Sequence, residues 1–261
     1  MEHQEKAIEA YLASVVDDEA TLAVVIVGSV ARGTERHGSD VDLYLVVSDE
    51  AWDAAFAANK VAWVEREELD YPGSYIDIKL VSPRYLATAA VRGDDPTRAS
   101  FAGARIAFSR IDGLADMITA IGTLPADEWN ARMQSYQAQM YLYGGYFLGQ
   151  ATQSGDTFLI RHAAMHCVYS AGRAVLAGNQ QFLQGPKYLR KGVTAAVSAP
   201  AGFVAAWDAL IDDPTPDNAA QLTALVVDWW PTKFPREDVL STFIRDNELA
   251  WLTGQLPAEY Y

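Results

Sequence analysis

The sequence predicts an α+β protein, with a mixed sheet in its first part and a helical bundle in its second. In the first part, short runs of apolar and β-branched residues alternate with helical patterns, as in a sheet that packs against helices. From about residue 112 onward, apolar residues recur only at steps of three and four. Gly113, Gly122 and Pro125 cluster where the pattern changes. We therefore expect two domains, residues 1–115 and residues 116–261.

The first domain is predicted to contain four strands and at least three helices. Apolar residues at helical spacing indicate a helix that ends near Val15. Ser48 precedes two acidic residues and Ser82 precedes a proline, and both patterns are typical of a helix N-terminus. The runs that predict strands are 22–27 (LAVVIV), 41–47 (VDLYLVV), 61–66 (VAWVER) and 75–81 (YIDIKLV).

The second domain is predicted to be helical throughout. One apolar pattern runs from Met133 to Phe147, and a second helix runs from Thr157 to Leu176, with Gly178 beyond it as part of a C-cap. At least three more helices are expected within 185–193 (GPKYLRKGV), 215–230 (TPDNAAQLTALVVDWW) and 235–252 (PREDVLSTFIRDNELAWL).

Composition limits the classes of partner. Half of the 261 residues are hydrophobic, which is enough for a large core. The net charge of -14 repels phosphate backbones and anionic lipids, so we expect neither nucleic acid nor membrane as a partner. The same charge is compatible with plain solubility or with attraction of a cationic small substrate. The single cysteine, Cys167, and the lack of a signal-like N-terminus or an apolar span predict a cytoplasmic protein.

Two aspartates stand at the start of a strand that is otherwise apolar. Side chains alternate along a strand, so Asp40, Asp42 and Tyr44 should share one face, directed away from the core. The same alternation in 75–80 directs Asp77 outward, together with Tyr75 and Lys79. If the two strands are neighbours, about 4.8 Å apart, Asp77 stands beside the aspartate pair.

Three converging carboxylates repel one another unless cations lie between them. Hard divalent ions such as Mg²⁺ prefer oxygen ligands and are often shared with substrate phosphates. The neighbouring Glu65, Glu67 and Glu68 are alternatives for the third acid.

A glycine turn precedes the aspartate pair. Gly28 and Ser29 follow the first predicted strand and should open a short helix, whose free N–H groups suit a phosphate. Gly28 allows close approach of the backbone, and the Ser29 hydroxyl adds a donor.

These residues together resemble the nucleotidyltransferase superfamily, which includes DNA polymerase beta and the aminoglycoside nucleotidyltransferases. The resemblance lies in Gly28-Ser29, ten intervening residues, and then Asp40-Val41-Asp42-Leu43, with a third acid on a later strand. The form GSVARGTERHGSDVDL is similar to the small bacterial branch, in which Gly-Ser-x-Ala-x-Gly and Ser-Asp-x-Asp recur. A helical second domain is also similar to that of the kanamycin- and streptomycin-adenylylating enzymes.

The resemblance implies both an activity and a set of site residues. Asp40, Asp42 and Asp77 would be the catalytic carboxylates and would hold two Mg²⁺ ions. The implied reaction is attack of a small-molecule hydroxyl on the α-phosphate of a nucleoside triphosphate, most simply ATP, with release of pyrophosphate. Asp77, shorter than glutamate, is either a base or only a ligand. The residues implied for nucleotide binding are Gly28, Ser29, Arg32, Ser39 and Lys187.

Several interpretations remain open from the sequence. Arg36 lies in the same loop as Arg32, and Arg190 and Lys191 compete with Lys187 for a phosphate. The acceptor is expected to be a small polyhydroxylated molecule such as an aminoglycoside. A protein acceptor, as in toxin-antitoxin enzymes, and a nucleotide-binding module without catalysis are the rival hypotheses.

Two histidines four residues apart suggest a zinc site only weakly. His162 and His166 lie on one predicted helix, but the intervening residues lack the glutamate of a His-Glu-x-x-His motif. We expect packing or substrate contact there.

Overall fold

The computed structural model describes residues 2–66 and 75–260. The chain divides into two compact units, Met1–Thr123 and Leu124–Tyr261. The sequence placed the domain boundary earlier, between residues 115 and 116. The helix that follows that point, Leu114–Ile121, buries its apolar face in the core of the first unit and therefore belongs to it.

The first unit alternates helices and strands. Its helices are α1 (Glu2–Val15), α2 (Gly28–Ala31), α3 (Asp49–Ala57), α4 (Pro83–Arg92), α5 (Asp95–Phe101) and α6 (Leu114–Ile121). Its strands are β1 (Thr21–Val27), β2 (Val41–Val47), β3 (Ala62–Glu65), β4 (Ile76–Val81) and β5 (Arg105–Ser109). Ser48 and Ser82 cap α3 and α4 as predicted, since each hydroxyl accepts a backbone N–H three residues on.

The five strands form one mixed sheet in the order β3-β4-β2-β1-β5. β2 and β4 run parallel, and the other neighbouring pairs are antiparallel. The predicted neighbours, the strand with the aspartate pair and the strand with Asp77, therefore lie side by side. β5 and α5 were not predicted from the sequence.

Both faces of this sheet are covered, and one expectation is therefore wrong. Val41 and Leu43 pack on the face covered by α1, as their alternation predicted. Tyr44, expected to point away from the core, is also buried, because α4, α5 and α6 cover its face. Its ring stacks on Phe101 with 4.8 Å between centroids. Asp42 lies at the end of this second buried face and is partly accessible.

The second unit is helical, as predicted. It contains α7 (Ala126–Met140), a π-helix (Tyr141–Phe147), α8 (Leu148–Ser154), α9 (Thr157–Gly178), α10 (Pro186–Ala195), α11 (Phe203–Asp212), α12 (Pro216–Trp229) and α13 (Val239–Asp246), followed by short 3₁₀ turns. Within residues 2–66 and 75–260, every helix is too short or too polar to span a bilayer.

The π-helix interrupts what the sequence predicted as one continuous helix. It contains Gly144, where an added Cβ would lie 2.8 Å from Cys167 Sγ and 3.2 Å from Ala219 Cβ. This segment therefore packs closely against α9 and α12, and only a residue without a side chain fits at that point.

Candidate active site

Three acidic residues lie at one end of the β2–β4 pair. In the parallel ladder Asp42 is the register partner of Asp77, and Val41 is the partner of Ile76. Asp40 immediately precedes β2, just as Tyr75 immediately precedes β4. Because side chains alternate along a strand, the residues of the two strands that carry acid groups share one face of the sheet. The structure thus makes Asp42 and Asp77 direct neighbours and places Asp40 two residues before Asp42 at the same end of the strand pair.

Gly28 is held against one of these acids. β1 ends at Val27, the antiparallel partner of Asp42, so the following residue passes directly over that side chain. Gly28 has φ +70°, and a Cβ added to it would overlap Asp42 Oδ2 and lie 3.0 Å from Asp42 Cγ. The glycine is therefore required by the Asp42 carboxylate, a reason that the sequence did not reveal.

The loop between the turn and the aspartates is tied to α1. Gln4, fully buried, directs its amide nitrogen at the carbonyls of Arg36, His37 and Ser39, at 3.2, 3.4 and 3.3 Å. The Ser39 hydroxyl accepts the Arg36 N–H at 2.9 Å. Ser39, predicted to bind nucleotide, thus has a structural use for its hydroxyl. These bonds fix the backbone that enters Asp40.

Tyr75 is a member of the site that the sequence left without a role. Hydrogen bonding to Asp40 and the charge of that carboxylate, followed by burial and by the charges of Asp42 and Asp77, raise the pKa of Tyr75 to about 12. All three carboxylates therefore act on a single hydroxyl. The signal in the sequence was the repeated spacing, since Tyr75-Ile-Asp77 aligns in register with Asp40-Val-Asp42.

Asp77 has a basic neighbour on its own strand. Lys79 Nζ lies 3.8 Å from Asp77 Oδ2, and both side chains are partly exposed. Pairing between these two residues is what the alternation along β4 predicts.

Glu65 is on the wrong face to replace Asp77. It is the register partner of Ile76, whose side chain packs in the α1 core. Its charge contributes, after burial, to raising the pKa of Tyr11, which belongs to the same core, to about 12. Glu67 and Glu68, which the sequence also offers as a third acid, lie outside the described residues.

The chemistry of this donor set suits a hard divalent cation. Asp40, Asp42 and Asp77 offer only oxygen atoms, which hard divalent cations prefer as ligands. Within the described part of the chain, no group of three or more histidine, cysteine, aspartate or glutamate side chains is disposed to hold a metal ion as it stands. Asp40 and Asp77 instead interact with Tyr75 and Lys79, respectively.

The predicted nucleotide-binding residues differ in their surroundings. Ser29 lies in α2 next to Gly28 and is half-buried. The Arg32 side chain is exposed, and its Cγ would lie 3.2 Å from a Cβ added at Gly103.

Lys187 belongs to the second unit, in the first turn of α10, with Nζ 4.8 Å from the centre of the Tyr188 ring. Its competitor Arg190 is engaged by Asp208 through two hydrogen bonds. Lys191 is exposed on the same helix.

The two histidines form part of an aromatic cluster in the second unit. The His162 and His166 rings are 4.3 Å apart, and His166 stacks on Tyr143 at 4.4 Å. The Tyr143 hydroxyl donates to Glu259. Burial, followed by the charge of His162, lowers the pKa of His166. Ring packing, expected from the sequence, is what the structure shows there.

One comparison with known proteins bears on the first unit. Residues 8–91 match the family model of the nucleotidyltransferase domain. This range includes the glycine turn and all three aspartates. No curated protein matches the chain. Among solved structures, the crystal structure of a nucleotidyltransferase-like protein from Exiguobacterium sibiricum 255-15 at 1.90 Å resolution is 12% identical, with a TM-score of 0.46 over 92% of this chain and 76% of that one.

Proposed function

We propose that this chain is a nucleotidyltransferase that transfers AMP from ATP to a hydroxyl of a small molecule and releases pyrophosphate. The match of residues 8–91 to the model of the nucleotidyltransferase domain supports this proposal. The observation that carries the proposal is the set of carboxylates of Asp40, Asp42 and Asp77 at one end of adjacent parallel strands. Nucleotidyltransferase domains generally use a nucleoside triphosphate and a divalent metal, and carboxylate oxygens are the ligands that Mg²⁺ prefers.

Each residue of the first unit has a proposed task. Asp40, Asp42 and Asp77 would hold two Mg²⁺ ions, which when bound polarise phosphate oxygens and stabilise the charge on the entering and departing oxygens. The backbone N–H groups of the turn at Gly28 and the Ser29 hydroxyl would donate hydrogen bonds to the triphosphate. Asp77 would also orient the acceptor hydroxyl.

Basic side chains would add charge to nucleotide binding. Arg32 and Lys187 are proposed to contact the triphosphate, since both are exposed. Arg190 is a matched control for Lys187, because it lies on the same helix but is bonded to Asp208. Lys187→Ala should raise the apparent KM for ATP about tenfold, whereas Arg190→Ala should leave it nearly unchanged. Equal effects of the two substitutions would contradict this assignment.

The acceptor is proposed to be a cationic polyhydroxylated molecule of the aminoglycoside kind. The support is the net charge of -14, which attracts cations and disfavours nucleic acid and anionic membranes. We propose a cytoplasmic location because the lone Cys167 is unpaired and buried, which suits a reducing compartment. If the function is as proposed, the chain would confer resistance to such an antibiotic.

The test is pyrophosphate release with Mg²⁺, each of the four common nucleoside triphosphates, and a panel of aminoglycosides, lincosamides and other polyhydroxylated molecules. Asp40→Asn with Asp42→Asn is the inactive reference, and we expect a loss of roughly 100-fold or more. Asp53→Asn is the matched control, since that carboxylate pairs with Arg84 on the surface of the same unit.

The outcomes separate the candidate functions. Release that depends on one acceptor and on the aspartate pair supports the proposal and names the acceptor class. Release that requires a protein acceptor instead indicates protein nucleotidylation. Metal-dependent nucleotide binding with no release for any acceptor indicates a binding module without catalysis.

A further inference from the structure

The turn that leads into Asp40 is closed by its own hydrogen bonds. It spans residues 36–39, and the Ser39 N–H donates to the Arg36 carbonyl at 3.0 Å. The Arg36 N–H donates in the other direction, to the Ser39 hydroxyl at 2.9 Å. These two bonds set the shape of the turn. Because both lie within it, they do not fix its position relative to the sheet.

Gln4 supplies a bond from outside the turn. Its fully buried side chain lies in the first turn of α1. Its amide nitrogen is 3.2 Å from the Arg36 carbonyl oxygen, 3.4 Å from that of His37 and 3.3 Å from that of Ser39. Three backbone carbonyls that converge on one point need a donor there, and the two N–H groups of this amide are shared among them. Since α1 packs on the sheet through its apolar face, Gln4 links the turn to the sheet.

The bond to Ser39 reaches Asp40 through the backbone. The Ser39 carbonyl belongs to the peptide group that precedes Asp40, and Gln4 holds it. The peptide group that follows Asp40 is held by β4, since the Val41 N–H donates to the Tyr75 carbonyl at 3.1 Å. Peptide groups are planar, so two anchored planes determine the direction of the Cα–Cβ bond between them. The carboxylate of Asp40 is therefore left with its side-chain torsions alone.

We propose that Gln4 is a positioning residue for Asp40: it fixes the peptide group before Asp40, so that the carboxylate is already in place when a divalent cation binds. The inference rests on the proposed metal site at Asp40, Asp42 and Asp77. A ligand whose backbone is fixed in advance loses less conformational freedom on binding, so the affinity for the cation rises. Gln4 contributes to the reaction only through this backbone.

Gln4→Met and Ile8→Ala form a matched pair of variants. Methionine is close to glutamine in length and flexibility but has no N–H to donate. Ile8 is buried on the same helix, one turn further on, and its side chain is apolar. Ile8→Ala leaves a cavity and should lower the unfolding temperature at least as much as Gln4→Met does. A larger effect of Gln4→Met on the site therefore reports the lost bond and not lost stability.

The first readout is hydrogen exchange of the backbone amides of residues 36–41, measured by mass spectrometry on the full chain without metal or nucleotide. We expect exchange in this segment to be about tenfold faster in Gln4→Met, as for local opening after loss of a buried hydrogen bond. Ile8→Ala should change it less than about threefold. Native exchange rates in Gln4→Met would show that the turn is held without Gln4, and the inference would be wrong.

The second readout is binding of Mn²⁺, as a substitute for Mg²⁺, measured by calorimetry without nucleotide. We expect the Kd for Mn²⁺ to rise about tenfold in Gln4→Met and less than about threefold in Ile8→Ala. Pyrophosphate release by Gln4→Met should fall about tenfold at limiting Mg²⁺, and saturating Mg²⁺ should restore most of the loss. A smaller fraction of folded protein would instead lower release at every Mg²⁺ concentration.

The possible results separate this inference from the proposed function. If Asp40→Asn binds Mn²⁺ as tightly as the native chain, the metal site itself is wrong. If Asp40→Asn loses binding while Gln4→Met keeps the native Kd, the metal site stands and the role of Gln4 is wrong. Equal losses of binding in Gln4→Met and Ile8→Ala would assign the effect to the packing of α1, which also overturns the inference.

Discussion

Replacement of Gly28 by alanine tests the geometry of the site most directly. The backbone of Gly28 has φ +70°, a conformation that costs an L-residue about 1 kcal/mol. The new Cβ would also overlap Asp42 Oδ2 and lie 3.0 Å from Asp42 Cγ. The carboxylate would have to move by about 1 Å to restore van der Waals distances. A displacement of this size in a catalytic group can cost roughly 100-fold in rate.

Gly33 provides a matched control within the same loop. Its φ is +64°, but an added Cβ would meet no atom within 4 Å. Gly33→Ala therefore carries the same backbone cost without moving Asp42. We expect both variants to lose about 1 kcal/mol of unfolding free energy in urea. Only Gly28→Ala should lose roughly 100-fold in pyrophosphate release and weaken Mn²⁺ binding in parallel.

Three results for these two variants would contradict the prediction. If both Gly28→Ala and Gly33→Ala release pyrophosphate at the native rate, the position of the Asp42 carboxylate does not limit the reaction. Equal losses of activity in both variants would instead assign the effect to the backbone of the loop. A crystal structure of Gly28→Ala with Asp42 in its native position would show that the turn yields instead of the carboxylate.

Three further predictions concern the second unit. Arg173 is buried and donates to the Ala258 carbonyl at 2.8 Å and to the Tyr136 hydroxyl at 2.6 Å, so Arg173→Leu should cost about 3 kcal/mol of unfolding free energy in a urea titration. Burial raises the pKa of the Cys167 thiol to about 12, so iodoacetamide at about pH 8 should modify the native chain far more slowly than the chain in guanidinium chloride. Burial lowers the pKa of His166, so the unfolded chain binds its proton more readily; stability should fall as pH drops below about 6.5, and His166→Gln should reduce that slope in urea titrations at about pH 5 to 7.5.

Four of the five strands of the sheet could be predicted from the sequence, because each lies in a run of apolar and β-branched residues next to turn residues or a helix start. β5 was not predicted, since it carries no strong pattern of its own, and α5 was missed although Asp94 caps it and a proline lies in its first turn. The residues of β5 are exposed or only partly buried, and the strand exists because it pairs with the edge of β1. Its formation depends on a tertiary contact, which local propensity does not report.

The burial of Tyr44 shows the limit of the alternation argument. Alternation assigns residues to two faces but does not say how many of those faces are covered. A second signal was present, because β1 is apolar at nearly every position, and a strand of that kind is usually buried on both sides. The same reasoning would have placed Tyr44 in a second core, where it stacks on Phe101.

The acids of the site and the pairing of Asp77 with Lys79 could be predicted from the sequence, but the place of Tyr75 beside Asp40 could not. Tyr75 immediately precedes β4 and shares one face with Asp77 and Lys79, because the three alternate with residues of the other face. Only the register with β2 places Tyr75 beside Asp40. That register arises from two strands that are far apart along the chain. The ion pair between Asp77 and Lys79 is weak. Its two charged atoms are 3.8 Å apart and both side chains are partly exposed, and such pairs contribute less than about 1 kcal/mol to stability. Lys79 therefore offers little resistance to a divalent cation at Asp77.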